Sequence, residues 1–92
     1  MDKYMNALKQ IMAQRYAKDT YSIGRYQESS VCIQYIDNKW IVYNGERGNR
    51  YNEVQCDTPL QGCLEFFRRF THVVNTLVDM ENELLTYLTD VA

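Results

Sequence analysis

Three short runs constrain this chain more than any other feature: SVCIQYI (30–36), WIVYN (40–44) and RYNEVQC (50–56). Each is the length of a strand, and the first two are rich in the β-branched and aromatic residues that suit a pleated surface. The gaps between them are too short for a crossover, so successive runs can pair only antiparallel. Asp37 and Asn38 lie in the first gap, and both residue types tolerate the positive φ that a tight hairpin requires. The second gap, GERGN (45–49), has glycines at both ends to supply it. Alternation puts Val31, Ile33 and Tyr35 on one face and Cys32, Gln34 and Ile36 on the other. By the same rule Tyr51, Glu53 and Gln55 share a face, opposite Asn52, Val54 and Cys56. A fourth run, YSIGRY (21–26), is weaker, and Gly24 marks it as an edge or a bulge. The expected sheet is a three- or four-stranded antiparallel meander.

Helices flank these strands. Tyr4, Met5, Leu8, Ile11, Met12 and Tyr16 recur at steps of three and four, the spacing of one helical face. Asp2 is placed to cap that helix, and polar Lys18-Asp19-Thr20 to end it. Beyond the strands, Thr58 is a cap, Pro59 suits the first helical position, and Gln61 stands three after the cap. Leu60, Cys63, Leu64, Phe67, Phe70, Val74, Leu77, Leu84 and Leu88 then keep a helical period. An unbroken helix from Pro59 to Thr89 would run about 46 Å at 1.5 Å per residue. A 92-residue domain is only about 30 Å across. The helix must therefore kink or split, near Val73-Val74-Asn75-Thr76, or overhang and seat a second copy of the chain in a homodimer. The fold class is α+β, in the order α-β-β-β(-β)-α, with room for one core.

Several function classes recede on composition. The longest apolar run, Trp40 to Tyr43, is four residues, and residues 1–19 mix charge with apolar groups rather than forming the apolar middle of a secretory signal. A soluble, cytoplasmic protein is expected. The three cysteines, Cys32, Cys56 and Cys63, form no CxxC pair, and His72 is the only histidine, so neither a disulfide framework nor a metal site is expected. That lone imidazole is flanked by Thr71 and Val73 on a helical pattern and has no nucleophile beside it. GERG is too short for a phosphate loop, and Glu46 would repel the phosphate. The expectation is a non-enzyme without cofactors.

Charge is uneven along the chain. The net charge is −2, yet Asp79, Glu81, Glu83 and Asp90 all follow residue 70, where Lys and Arg are absent. Such a segment is a solvated helix face or a surface for a basic partner. The αβββα order is also that of the double-stranded-RNA-binding domain, which is the alternative reading. That module meets A-form RNA with lysines opening its last helix. Here the same place reads TPLQGCLEFF, with Glu65 and no lysine, so no direct nucleic-acid contact is expected.

The second turn has another character. Tyr43, Asn44, Glu46, Arg47, Asn49, Arg50 and Tyr51 cluster there, and tyrosine and arginine are the residues that dominate binding hot spots. From Trp40 to Phe70, WIVYNGERGNRYNEVQCDTPLQGCLEFFRRF resembles a family of small bacterial immunity proteins that guard a cell against its own polymorphic or contact-dependent growth-inhibition toxin. The likeness lies in an aromatic strand, GERG, a polar strand from Tyr51, a short acid-bearing turn and an amphipathic helix carrying FF and Arg. It implies an inhibitor whose partner is the C-terminal domain of a cognate toxin, with a nuclease the commonest kind. The contact residues expected on this reading are Tyr43, Glu46, Arg47, Arg50 and Tyr51 at the hairpin, with Asp79, Glu81 and Glu83 to complement a basic cleft.

Overall fold

The computed structural model describes residues 2–90. Helix α1 (Asp2–Arg15) leads through a 3-10 turn (Lys18–Thr20) into strands β1 (Tyr21–Ile23), β2 (Ser30–Ile36), β3 (Lys39–Glu46) and β4 (Asn49–Cys56). Helices α2 (Pro59–Arg68) and α3 (Val74–Asp90) follow. This is the α+β class expected, with one four-stranded sheet in the order β1-β2-β3-β4. The cap assigned to Asp2 falls outside the described side chains.

Two tight turns set the register of the sheet. Asp37 and Asn38 both take positive φ (51° and 65°), as do Arg47 and Gly48 (53° and 78°). Two successive positive φ values give the hairpin turn whose twist matches that of its strands. The consequence is that Ile36 pairs with Lys39 and Glu46 with Asn49. Trp40 then lies opposite Tyr35, and Val42 opposite Ile33, so these four share one face.

The meander is confined to β2, β3 and β4. Strand β1 pairs with β2 in parallel, Tyr21 opposite Val31 and Ile23 opposite Ile33, which makes the sheet mixed. A parallel neighbour normally needs a long crossover. Here β1 is only three residues, roughly 10 Å, and residues 24–29 can retrace that distance as an extended loop. Gly24 closes this edge strand at φ 98°, donating its N–H to the Ile33 carbonyl at 2.8 Å.

The core lies between one sheet face and the helices. Leu8, Ile11 and Met12 from α1, Ile33, Trp40 and Val42 from the sheet, Cys63, Phe66 and Phe67 from α2, and Met80 and Leu84 from α3 are buried together. Each large side chain among them contributes about 2–3 kcal/mol by leaving water. The helix expected over 59–89 is split, and the break runs over residues 69–73, opening a turn ahead of the expected stretch and closing at Val73. Helix α2 ends at Arg68, the Arg69, Phe70 and Thr71 amides bond back to the Phe66 and Phe67 carbonyls, and α3 begins at Val74. Phe70 stacks on Tyr16 at 4.8 Å, which turns the chain back over α1. Helix α3 then packs mainly on α1 and α2. The longest dimension is 37 Å, shorter than the unbroken helix would be. The overhang that would have seated a second copy is therefore gone, although Val74, Val78 and Leu85 of α3 remain exposed.

Helix α2 approaches the sheet through Gly62. A Cβ at this position would stand 2.9 Å from the Cβ of Trp40, an atom close to the backbone with little room to give. An alanine in an open helix gains about 1 kcal/mol over glycine. At this position overpacking of about 1–3 kcal/mol opposes that gain. Gly62→Ala is expected to lower the urea midpoint with an unchanged m-value; a raised midpoint would mean that α2 lifts from Trp40 without cost.

Candidate functional site

The β3–β4 turn is held from outside its own hairpin. The loop between β1 and β2 carries Tyr26 and Glu28 across the sheet face that the helices leave uncovered. Glu28 accepts the Arg47 N–H at 2.6 Å and the Gly48 N–H at 3.2 Å, and the Gly48 N–H also reaches the Tyr26 hydroxyl at 2.7 Å. Tyr26 in turn donates to Glu28 at 2.6 Å. Successive turn amides of this kind make an anion-binding concavity. The chain fills it with its own carboxylate. The hydrogen bond from Tyr26, then those from the turn amides, hold the Glu28 carboxyl below its ordinary range. Bonding to that carboxylate raises the Tyr26 phenol.

The same loop covers a second, smaller core. Cys32, Ile41 and Tyr43 are buried there, with Tyr26 packed against them. The Tyr26 ring lies nearly parallel to that of Tyr43, 6.3 Å away, and the Arg50 guanidinium sits 5.6 Å from the Tyr43 ring centre. Gly45 is needed here for space rather than for a turn angle. A Cβ on it would lie 2.5 Å from the Gln27 carbonyl oxygen. The Gln27 side chain staples the loop, donating to the Lys18 and Tyr21 carbonyls at 3.2 Å each and to the Ser30 hydroxyl at 2.7 Å.

On the other side of the sheet, a bulge interrupts β4. Val42 pairs with Val54 but Asn44 pairs with Tyr51, so β4 carries one residue more than β3 across this interval. Asn52 takes the positive φ (52°) that accommodates it. The bulge overturns the alternation expected for this strand: Tyr51 falls on the face of Val54 and Cys56. Arg69, at the end of α2, fills the gap. Its guanidinium donates to Asn44 Oδ1 at 3.0 Å, to the Val42 carbonyl at 3.4 Å and to the Asn52 carbonyl, and pairs with Glu65 at 3.3 Å. Helical spacing from Gly62 and Phe66 already places position 69 toward the sheet, so the FFRRF run did carry a signal for it.

The eight expected contact residues therefore divide. Glu46, Arg47 and Arg50 are exposed around the hairpin tip, with Arg50 paired to Glu53 at 3.1 Å. Tyr51 is 46% exposed but on the opposite sheet face from Arg50. Tyr43 is fully buried, its hydroxyl donating to Gln34, and burial pushes its phenol well above the ordinary range. It supports Arg50 from beneath and is removed from the contact set. Asp79, Glu81 and Glu83 belong to another layer. Asp79 and Glu83 line a groove between α1 and α3, where Glu83 pairs with Arg15. Glu81 projects from a different side of the helix, since two residues turn it by about 200°.

The remaining candidate groups are quiet. Burial pushes the Cys32, Cys56 and Cys63 thiols up, Cys63 to about 12, so they persist as protonated thiols. His72 is exposed in the loop between α2 and α3, beside Arg68. Among the described residues, no three His, Cys, Asp or Glu side chains converge as metal ligands would. Among the same residues, no helix is long and apolar enough to cross a membrane. Comparison with protein-family models, with characterised proteins and with solved structures finds no match.

Two outcomes follow from the anchors. Glu28 has a depressed native pKa, so its hold on the turn is complete above the unfolded carboxyl's value of 4.5 and is lost as pH falls through the lower native value. Protection of the Arg47 and Gly48 amides, taken relative to the intrinsic exchange rate at each pH, is expected to fall in that acid window for the native chain and to be low throughout in Glu28→Gln; equal protection in both would show that the turn holds itself. Arg69→Met keeps the bulk but strips the donors from the bulge carbonyls. It is expected to destabilise the fold by about 2–3 kcal/mol in urea, as loss of charged hydrogen bonds does. A loss below about 0.5 kcal/mol would mean that the bulge stands without its clamp.

Proposed function

We propose that this chain is an immunity protein, a non-catalytic cytoplasmic inhibitor that binds the C-terminal domain of a cognate toxin. The observation that carries the reading is the locked hairpin. Glu28 and Tyr26 hold the Arg47–Gly48 turn in one geometry while Glu46, Arg47 and Arg50 stay exposed around it. Nanomolar affinity requires about −12 kcal/mol, and a preformed contact loses little of that to ordering. The resemblance over Trp40 to Phe70 points to the same role and covers this hairpin.

The acidic helix suits a basic toxin cleft, such as that of a nuclease. Asp79 and Glu81 stand in a helix that carries no Lys or Arg, and charge of one sign speeds the approach of a partner of the other. Duplex RNA fits less well. The start of α2, where an RNA-binding relative would place lysines, carries Asp57 just before the cap and Glu65 beyond it.

The test is co-expression with a candidate toxin domain from a neighbouring gene, followed by calorimetry on the purified pair. A one-to-one complex of nanomolar affinity is expected. Glu46→Ala and Arg47→Ala should each weaken it by roughly tenfold or more, as hot-spot truncations do. Asp79→Asn with Glu81→Gln should slow association and leave dissociation unchanged. If both hairpin variants bind as the native chain does, the contact lies elsewhere. If no complex forms at micromolar concentration, the reading falls.

A further inference from the structure

The far end of β3 from the hairpin tip holds a feature that the toxin-inhibitor reading leaves unused. Tyr4 from the first turn of α1, Tyr35, Trp40, the turn residue Asn38, and Asp57 and Pro59 at the entry to α2 line an open cleft of about 260 Å³. Both tyrosine rings are inclined to that of Trp40. Tyr4 meets Trp40 at 6.2 Å and 64°, and Tyr35 meets it at 5.4 Å and 51°. Trp40 is 3% exposed and forms the floor, whereas Tyr35 is 37% exposed and forms an open wall. Tyr4 packs against the core and Tyr35 is the cross-strand neighbour of Trp40, and both rings keep part of their surface open to the cleft.

Charge tells what such a cup can take. Aromatic faces attract cations through the ring quadrupole, and a carboxylate beside them selects for positive charge. Asp57 stands at the rim with its side chain 80% exposed. Lys39 engages its Oδ1 at 2.6 Å, and among the described residues its Oδ2 has no hydrogen-bond partner. Outside the cleft, the Lys3 Nζ lies 5.9 Å from the Tyr4 ring centre, so this ring already meets one ammonium group of the chain. An exposed pair such as Lys39–Asp57 is weak and exchangeable. We infer that the cleft formed by Tyr4, Tyr35, Trp40 and Asp57 is a binding site for a cationic side chain, lysine or arginine, presented by a partner protein. The guest lays its charged head between the rings and shares the Asp57 carboxylate. The inference stands apart from the hairpin, so either can fail without the other.

Trp40 is the only tryptophan and forms the cleft floor, so its fluorescence, read beside the Tyr35 ring shifts, reports on occupancy of this cleft. The full chain is titrated with Nα-acetyl-arginine methylamide and, in parallel, with the citrulline analogue, which keeps the shape and lacks the charge. Ring-proton NMR shifts of Tyr35 and Trp40 are followed alongside. The arginine compound is expected to saturate on the order of millimolar, with citrulline about tenfold weaker. Asp57→Asn should weaken arginine binding about threefold, and Lys39→Ala, which removes the resident competitor, should strengthen it by a similar factor. Tyr35→Ala should abolish the response. Because Asp57 and Lys39 are surface residues, their variants test the site even if Tyr35→Ala disturbs the fold. Equal binding of citrulline and arginine, shifts of the same sign for Asp57→Asn and Lys39→Ala, or no saturable signal up to about 50 mM, a hundred-millimolar-class affinity that no such site would show, overturns the assignment.

Discussion

The register imposed by the two hairpin turns governs the rest of this structure. A strand that slips by one residue exchanges its buried and solvent faces. Positive φ at Asp37-Asn38 and at Arg47-Gly48 allows only two residues in each loop, and so locks Trp40 opposite Tyr35 and Val42 opposite Ile33. With that alignment, one face offers Ile33, Trp40 and Val42 to the helices. The other keeps Cys32, Ile41 and Tyr43 for the loop between β1 and β2. Gly62 matters only because Trp40 is on the helix side, and Gly45 only because Tyr26 and Gln27 cross the other.

Polar anchors then finish what the apolar face begins. Glu28 satisfies the turn amides that an external anion would otherwise take, and Arg69 satisfies the carbonyls that the β4 bulge leaves out of the ladder. Both are contacts between segments distant in sequence, and both rigidify β4, the long edge strand of the sheet. A free edge invites pairing with other chains, and bulges and charges are how proteins limit it. Here the bulge at Asn52 and the Arg50–Glu53 pair serve that end while leaving the hairpin tip open to solvent. A rigid tip on a protected edge resists indiscriminate strand addition.

The electrostatic layout separates two kinds of surface. The hairpin carries both signs of charge at close range, whereas α3 carries only acids. Mixed charge on a fixed turn confers specificity, and a one-signed helix acts at longer range on approach. Since α3 packs chiefly on the other helices, these surfaces belong to different layers of the fold.

Local chemistry determined a good deal of this protein on its own. The two turns, the three meander strands, the faces of β2, the amphipathic face of α1 and the cap of α2 at Thr58 all depend on neighbours within a few residues, and such neighbours are visible in a linear chain. The exposed charges at Glu46, Arg47 and Arg50 were legible for the same reason. Tertiary structure alone decided the parallel pairing of β1, the bulge, the opening of the helix break as early as Arg69 and the burial of Tyr43. Each rests on a contact across a long stretch of chain: Gln27 with the 3-10 turn, Arg69 with Val42 and Asn52, Phe70 with Tyr16, and Tyr26 with Tyr43. Periodicity says which way a side chain points from its own element. It does not say what will arrive to cover that side chain, because that depends on how distant segments fill one another's space.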